Sequence, residues 1–296
     1  MELADIKTIA VIGAGQMGAG IAQVCAAHGY SVALCDAAVE RAETGKAGIA
    51  KQLARLVDKG KLATDARDAT LARLEASTAE RAYPRADVII EAATENRELK
   101  IALFRDADRL AKPGAILASN TSSISITLLA GQTKRAERVI GMHFMNPVPV
   151  MKLVEIVRGL QTSEETLNVI RGLGEKLEKT LIVSHDRPGF LVNRMLLPFV
   201  NEACFTLEEG TGTPEDIDQG ARLGLNHPMG PFELADLVGL DTMLAIAEVL
   251  QRELGEDKYR PSVLLRNLVA AGWLGRKTKR GFYIYDDQGN KIGRSV

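Results

Sequence analysis

The chain has 296 residues, of which 46% are hydrophobic and 25% are charged, and its formal net charge at pH 7 is −1. This length allows two domains with a substantial core, and the charge balance gives no support for a nucleic-acid partner or an anionic membrane surface. The acidic N-terminal sequence lacks a signal or transit pattern, and no apolar run approaches membrane-spanning length. The three cysteines form no CxxC pair and are odd in number, which is typical of thiols in a reducing compartment. We therefore expect a cytoplasmic protein with no membrane partner.

The first ordered pattern is a strand followed by a glycine-rich turn. Residues 7–12 form a β-branched apolar run, and Gly13-Ala14-Gly15-Gln16-Met17-Gly18 follows without a gap. A helical pattern then covers 19–27, and a second strand over 31–35 ends at Asp36. This order predicts a dinucleotide site, because the glycines allow a tight turn and the close approach of a pyrophosphate to a helix N-terminus. Asp36 is expected to bind the adenosine ribose and to repel a 2′-phosphate, which favours NAD over NADP.

A long polar stretch separates Asp36 from the next strand. Residues 37–80 predict two helices with a break at 59–61, which is more chain than one crossover needs. We therefore expect a helical arm, over about 38–80, that projects from the sheet. Its basic residues are either solvated or meet an anionic, extended ligand, and the residues alone leave both alternatives open.

Two further strands, over 87–92 and 115–118, lead towards polar loops. The second strand opens into Ser119-Asn120-Thr121-Ser122-Ser123. Open α/β sheets place their ligand chemistry at the carboxyl ends of parallel strands. The hydroxyl groups of this loop therefore either cap a helix or bind a substrate oxygen.

Two neighbouring apolar runs, 138–144 and 151–157, predict a pair of strands joined by a short connection. His143 lies near the end of the first run and Glu155 lies inside the second. Strands joined in this way are expected to be antiparallel, which brings the two side chains together. A buried carboxylate needs a partner, and a histidine held by one has a fixed tautomer and raised basicity. The pair is a candidate general base, and a structural histidine at a strand end is the alternative.

The pattern changes near residue 185, where we place a domain boundary. A turn-rich segment over 186–190 precedes a region of helical periodicity. The predicted fold is an α/β Rossmann-type domain with the helical-arm insertion over 1–185, followed by an all-α C-terminal domain over 186–296. By analogy with other proteins of this fold, the second domain is expected to close a substrate cleft and to form a dimer interface.

Together these motifs resemble the L-3-hydroxyacyl-CoA dehydrogenase family, and in particular its short bacterial members that act on 3-hydroxybutyryl-CoA. The resemblance covers essentially the whole chain. It rests on the glycine turn, the serine-rich loop and the segment from His143 to Ile156. It continues in three later motifs, Pro188-Gly-Phe-Leu-Val-Asn193-Arg, His227-Pro-Met-Gly-Pro-Phe-Glu-Leu and Lys277-Thr-Lys-Arg-Gly-Phe-Tyr. The resemblance implies a homodimer that oxidises a short-chain L-3-hydroxyacyl-CoA with NAD, reversibly, in fatty-acid or related acyl-CoA metabolism.

The resemblance also implies a role for each matched residue. His143 takes the proton of the 3-hydroxyl group while hydride leaves C3, and Glu155 orients the imidazole and stabilises its charged form. Ser122 and Asn193 bind the substrate oxygens and align C3. The positions matched to residues near NAD are Glu95, Lys100, Ser122, Asn146 and Lys277, and the position matched to a contact with the CoA portion is Lys59.

Two departures from the family pattern and several alternatives accompany this interpretation. Met145 replaces an aromatic residue, and Gln52 replaces a CoA-contacting serine of the mitochondrial relatives. Asn193 is alternatively a buried polar residue of structural use, and Lys277 a surface lysine. The alternative functions are an NAD-linked dehydrogenase of a CoA-free 3-hydroxy acid, and a dinucleotide-binding protein without catalysis.

Overall fold

The computed structural model describes all residues, 1–296, and divides the chain into two compact units. The first unit is Met1–Arg187 and the second is Pro188–Val296. None of the helices combines the length and the apolar composition that a membrane span requires.

The first unit is built on an eight-stranded sheet in the order β3-β2-β1-β4-β5-β6-β7-β8. Every neighbouring pair is parallel except β6 and β7, which are antiparallel. The order reverses between β1 and β4, and open α/β sheets bind their ligands at such a switch point. The predicted Rossmann-type sheet is confirmed, with β1 Thr8–Ile12, β2 Ser31–Cys35, β3 Leu74–Ser77, β4 Val88–Glu91, β5 Ile116–Ser119, β6 Val139–Phe144, β7 Leu153–Arg158 and β8 Thr180–His185.

Helices cover the sheet and bury apolar side chains against it. The central strand β1 is buried at Ile9 and Val11, and α1 contributes Ile21 to the same core. Side-chain caps start two of the helices, since Asn96 accepts a hydrogen bond from the Leu99 amide and Ser163 accepts one from the Thr166 amide. Such caps satisfy amide groups that the first turn leaves unpaired. The helices are α1 Gln16–Ala27, α2 Val39–Asp58, α3 Thr64–Ala72, α4 Ala79–Ala82, α5 Arg97–Leu110, α6 Ile126–Ala130 and α7 Glu164–Lys176.

The insertion after Asp36 is helical, as predicted, but its end differs from the prediction. Helices α2 and α3 lie on either side of the predicted break. Ala42, Ile49 and Leu53 of α2 are buried, and Ile49 and Leu53 belong to the core of the first unit. The end of the insertion is a strand, β3, that pairs with the edge of β2. Its sequence, LEAS, has no apolar run, so only the pairing with β2 reveals it.

The second unit is helical around a core of its own. The buried residues of this core come from all of its longer helices and include Val200, Phe232, Met243, Leu250 and Leu265. Its helices are α8 Val192–Glu208, α9 Pro214–Gln219, α10 Pro231–Val238, α11 Leu240–Leu254 and α12 Val263–Ala270.

The prediction of an all-α second domain is wrong at its C-terminal end, where β9 Tyr283–Tyr285 and β10 Lys291–Arg294 form an antiparallel hairpin. Asp236 of α10 holds the first strand of this hairpin. Its carboxylate accepts hydrogen bonds from the Phe282 and Tyr283 amides and from the Tyr285 hydroxyl. Two strands of three and four residues gave too short a pattern to separate from a turn.

Candidate active site

The glycine turn lies at the switch point between β1 and β4. Gly13 has a φ of +99°, and a Cβ atom on it would lie 2.5 Å from the Ala92 carbonyl oxygen that follows β4. A Cβ on Gly18 would overlap the Gly13 carbonyl, so only glycine lets α1 begin this close to the turn. A Cβ on Gly15 would meet no atom within 4 Å. The turn is therefore closed on the sheet side and open at Gly15, as the approach of a pyrophosphate requires.

A cleft of about 540 Å³ opens beside this turn. Its walls come from the glycine turn, from α2 and from the connection between β6 and β7. Three of the residues predicted to bind the cofactor line it near the turn, Ala14, Gly15 and Gln16, and Asp36 and Asn146 line it as well. Gln52 is a further lining residue. The other residues of the turn, Gly13, Met17 and Gly18, do not line the cleft, but they shape the turn.

Asp36 closes one end of the cleft. Its Oδ2 accepts a hydrogen bond of 2.7 Å from the Ala14 amide, and its Oδ1 accepts one of 2.8 Å from the Ala37 amide. The Arg41 guanidinium lies 3.8 Å from Oδ1 and lines the same cleft. These contacts fix the carboxylate at the position from which it can bind ribose hydroxyl groups. The glycine cradle, the cleft and the acid together fit a dinucleotide.

His143 and Glu155 face each other across β6 and β7, which are antiparallel as predicted. His143 Nδ1 lies 3.0 Å from Glu155 Oε2. The histidine is 7% exposed and the glutamate is fully buried. The carboxylate therefore contacts Nδ1, and Nε2 is the other ring nitrogen of the imidazole at which a proton can bind. The predicted pairing of the two side chains is confirmed.

Glu95 binds the loop at the end of β5, residues 119–123, which we call the hydroxyl loop. Its Oε1 accepts hydrogen bonds from the Thr121 hydroxyl, from the amide and hydroxyl of Ser122, and from the amide and hydroxyl of Ser123, at 2.6–3.2 Å. The Glu95 side chain is 38% exposed, and the burial of its other faces acts to raise its pKa. The Lys100 ammonium and the hydrogen bonds from the loop outweigh burial, so this pKa lies below its ordinary value. Glu95 is thus a carboxylate that fixes the main chain and side chain of Ser122.

Lys100 is 1% exposed and is surrounded by acceptors. Its Nζ lies 2.6 Å from Glu91 Oε1, 3.2 Å from the Ala93 carbonyl oxygen and 3.5 Å from Glu95 Oε2. Glu91, at the end of β4, also accepts a hydrogen bond of 2.6 Å from the Ser119 hydroxyl. Glu91 is not among the predicted site residues, and Ser119 was predicted only as part of the polar loop after the strand. The sequence did contain a signal for an acidic partner of Lys100. This lysine lies on the face of α5 that buries Phe104 and Ala107, and a buried lysine needs an anion.

Asn120 ties this loop to the strand that carries His143. Its side-chain oxygen accepts a hydrogen bond of 2.8 Å from the amide of Phe144, the residue after His143. Its own amide donates to the Glu91 carbonyl. The ends of β4, β5 and β6 are therefore joined by polar contacts at one edge of the sheet. Ser122, Glu95, His143 and Glu155 belong to this edge.

Three predicted site residues lie outside these clusters. Lys59 follows the last residue of α2 and is exposed. In the second unit, Asn193 is buried in the first turn of α8. Lys277 Nζ lies 2.7 Å from Asp241 Oδ2. Burial alone would raise the pKa of Asp241, but the hydrogen bond and charge of Lys277 together with hydrogen bonds from backbone amides outweigh burial, and the pKa is lowered.

Comparison with known proteins assigns both units. The model of the 3-hydroxyacyl-CoA dehydrogenase NAD binding domain matches residues 8–187, and that of the C-terminal domain of the same family matches residues 189–285. A probable 3-hydroxybutyryl-CoA dehydrogenase of Bacillus subtilis is 52% identical over 96% of this chain and 99% of its own length. A 3-hydroxybutyryl-CoA dehydrogenase of Bradyrhizobium diazoefficiens is 50% identical over 95% and 96%.

A solved structure gives the same assignment. The crystal structure of (S)-3-hydroxybutyryl-CoA dehydrogenase from Ralstonia eutropha superposes with a TM-score of 0.92 at 50% identity, over 96% of this chain and all of the other. The fold, the dinucleotide cleft and the sequence similarity agree along both units. The chain therefore belongs to the 3-hydroxyacyl-CoA dehydrogenase family and is an NAD-dependent dehydrogenase that acts on 3-hydroxyacyl-CoA thioesters.

Proposed function

We propose that the preferred substrate is a short-chain L-3-hydroxyacyl-CoA such as L-3-hydroxybutyryl-CoA, oxidised reversibly to the 3-ketoacyl-CoA. The names of the relatives support the short acyl chain. The observation that carries the chemistry is the 3.0 Å contact between His143 and Glu155 at the ligand edge of the sheet. A buried carboxylate on Nδ1 is the arrangement that prepares a histidine to act as a base.

His143 Nε2 accepts the proton of the 3-hydroxyl group during oxidation. Bound NAD supplies the acceptor for the hydride that leaves C3. Glu155 keeps the ring in the tautomer whose Nε2 can accept the proton, and its negative charge stabilises the imidazolium that results. In the reverse direction the imidazolium returns the proton to the ketone oxygen.

Ser122 and Asn193 are the proposed substrate ligands. The hydrogen bonds of Glu95 support this role for Ser122, because they fix its position at the edge that carries His143. For Asn193 the support is its match to the family motif in the first turn of α8. The proposed cofactor residues are the glycine turn Gly13–Gly18, Asp36, Asn146, Glu95, Lys100, Ser122 and Lys277, and the proposed CoA contact is Lys59.

The test is the oxidation of NADH by the purified protein with acetoacetyl-CoA, free acetoacetate and longer 3-ketoacyl-CoA substrates in parallel. We expect the highest kcat/KM with acetoacetyl-CoA, little turnover of the free acid, and a preference for NADH over NADPH. Equal turnover of free acetoacetate would support the CoA-free alternative instead. A maximum at a longer or a dicarboxylic acyl chain would refute the short-chain preference.

We also propose a separate role for each domain. The first, over about 1–185, binds NAD, and the second, over about 186–296, contributes to the substrate cleft and forms a homodimer. Large exposed apolar side chains on the second unit support a dimer interface there, among them Met195, Leu223, Leu225 and Leu237. Light scattering of the purified protein should give twice the chain mass, and Leu223→Asp should lower it to the chain mass.

The proposed location is the cytoplasm. The three cysteines are all buried and unbridged, which suits a reducing compartment. Fractionation of cells that produce the protein should recover it with cytoplasmic markers. Recovery with the membrane fraction would contradict the proposal.

A further inference from the structure

A polar chain of contacts runs from the core of the first unit to the hydroxyl loop. It starts at Glu91, which is buried at the last position of β4. Its Oε1 accepts hydrogen bonds from Lys100 Nζ at 2.6 Å and from the Ala93 amide at 2.7 Å. Its Oε2 accepts one from the Ser119 hydroxyl at 2.6 Å. Both oxygens are therefore satisfied by groups from three segments, the loop after β4, strand β5 and helix α5, which fixes the carboxylate in one orientation.

Lys100 connects Glu91 to Glu95. The ammonium is close to two carboxylates. Its Nζ lies 2.6 Å from Glu91 Oε1 and 3.5 Å from Glu95 Oε2. A buried ammonium without an anion is costly, and here Glu91 supplies the anion. The positive charge of Lys100 also attracts Glu95. This attraction lowers the pKa of Glu95 and so opposes the effect of burial.

Glu95 in turn fixes the hydroxyl loop. Its Oε1 accepts from Thr121, Ser122 and Ser123, and an ionised carboxylate is a stronger acceptor than a protonated one. The charge on Glu95 therefore sets how firmly Ser122 is held. The ionisation of Glu95 depends on the ammonium of Lys100, and the position of that ammonium depends on Glu91.

We propose that Glu91 is a positioning residue for the dehydrogenase reaction, acting through Lys100 and Glu95 to hold Ser122 in its substrate-binding position. This inference rests on the proposed function of Ser122. It assigns Lys100 a bridging role between two carboxylates in addition to its proposed place among the cofactor residues. It also predicts that removal of the bridge makes the order of the loop depend on pH, since burial then raises the pKa of Glu95 unopposed by an ammonium. The charged groups that face Glu95 in this network are Lys100 of α5 and Glu91 of β4.

The variant that tests the bridge is Glu91→Gln/Lys100→Met, which removes both charges and leaves neither partner buried alone. We expect it to fold, with NADH-dependent reduction of acetoacetyl-CoA lowered by about 10–100-fold in kcat/KM, because Ser122 is misplaced. As the pH falls, its rate should begin to fall at a higher pH than that of the wild type. Reduction is the direction to measure, because acid supplies the proton that His143 donates.

Two further variants locate the effect. Adding Glu95→Gln to the double variant removes the titrating group, so the rate should stay low and become independent of pH. Asp108→Asn/Arg135→Met is the matched control, because it neutralises another partly buried ion pair of the first unit. Asp108 of α5 and Arg135, which follows α6, are 2.8 Å apart between Oδ1 and Nε, and their further hydrogen bonds join Lys134 and Lys112. This control should change thermal stability without adding an acid limb to the rate profile.

A measurement without substrate or cofactor separates this inference from the proposed function. Carboxyl ¹³C NMR, with the Glu95 signal assigned through Glu95→Gln, should give a higher pKa for Glu95 in the double variant than in the wild type. An unchanged pKa, an unchanged kcat/KM, or an acid limb that survives Glu95→Gln would overturn the inference. Absence of wild-type turnover with any 3-ketoacyl-CoA would refute the proposed function and leave the NMR result standing.

If the double variant does not fold, Ser119→Ala tests the anchor without changing a charge. It removes the hydrogen bond to Glu91 Oε2, so we expect kcat/KM to fall by several-fold while the thermal midpoint is nearly retained. Full activity of Ser119→Ala would contradict the positioning role.

Discussion

Glu155 places a full negative charge against one nitrogen of His143 in a region that water does not reach. In the register of the sheet Glu155 pairs with His143 on one side and with Ile182 on the other, and its Oε2 lies 3.0 Å from His143 Nδ1. Glu155→Gln keeps an acceptor at that position but removes the charge. We expect kcat to fall by about 10²–10⁴-fold, the usual contribution of a general acid–base group, and His143→Gln to lose at least as much.

Steady-state rates with acetoacetyl-CoA and NADH measure this loss, and fluorescence titration with NADH shows whether cofactor binding survives. The chain provides a matched control in a second histidine–glutamate pair, His28 and Glu178, whose closest atoms are 3.9 Å apart at the surface. Glu178→Gln should leave kcat unchanged. Near-normal turnover of His143→Gln would show that another group takes the proton.

Asp36 and Arg41 form the second informative pair of residues. We expect Asp36 to repel a 2′-phosphate, while Arg41 lies 3.8 Å from it in the same cleft and carries a positive charge that would attract a phosphate. Asp36→Ala should therefore raise the kcat/KM ratio of NADPH to NADH by about 10–100-fold, because like charges across an interface cost several kcal/mol. The double variant Asp36→Ala/Arg41→Ala is the control. If it gains as much with NADPH as the single variant, Arg41 plays no part in phosphate binding.

At the scale of elements, the approach of α2 to the glycine turn depends on one residue. A Cβ on Gly45 would lie 2.8 Å from the Ala14 carbonyl oxygen and 3.0 Å from the Ala14 Cβ. Gly45→Ala should therefore push α2 away from the turn, lower the unfolding free energy by about 1–3 kcal/mol and weaken NADH binding. Thermal unfolding and fluorescence titration test both effects.

Gly48, one turn further along the same helix, is the comparison for stability. A Cβ there would meet nothing within 4 Å. Gly48→Ala should raise the unfolding free energy by about 0.5–1 kcal/mol, since glycine in a helix interior is less favourable than alanine. An equal loss of stability in both variants would refute the steric account of Gly45.

Some elements could be predicted from the sequence because their own residues determine them. Strands β1 and β2 are apolar runs with a glycine turn between them, and the antiparallel pair β6–β7 follows from two runs joined by a short connection. Strand β3 could not be predicted, because its four residues carry no pattern and gain their order by pairing with β2.

The candidate site divides in the same way. The pairing of His143 with Glu155 was predictable, since both lie on strands that are neighbours in the sequence. The pairing of Glu91 with Ser119 was not predictable, because those residues meet only when β4 and β5 lie side by side. Contacts between distant segments are a property of the packed sheet, and single-strand patterns do not contain them.

At the scale of the whole molecule, stability varies with pH through the buried carboxylates of the second unit. Burial, with a smaller contribution from Asp218, raises the pKa of Asp236 from 3.8 to about 6. Between these two values the folded chain binds more protons than the unfolded chain. The unfolding free energy contributed by Asp236 therefore falls as the pH rises through this window, by at most about 1.4 kcal/mol per pH unit.

Asp236→Asn tests this linkage. Its amide satisfies the surrounding donors less well than a carboxyl group, so the variant should be less stable than the wild type at every pH. The difference should be largest near pH 4 and shrink towards pH 7. Denaturant unfolding followed by fluorescence of Trp273, the only tryptophan, reports on the core of the second unit. A difference that does not change with pH would contradict the raised pKa.

The reversal of direction between β6 and β7 has a consequence for how this protein tolerates insertions and deletions. Side chains alternate faces along a strand, so one residue added to β7 before Glu155 would turn the carboxylate to the opposite face of the sheet. One residue added to the connection before Leu153 leaves both strands intact. A change in length within either strand should therefore abolish the pairing of His143 with Glu155. A change in the connection should keep this pairing and act on the cleft that Asn146 lines.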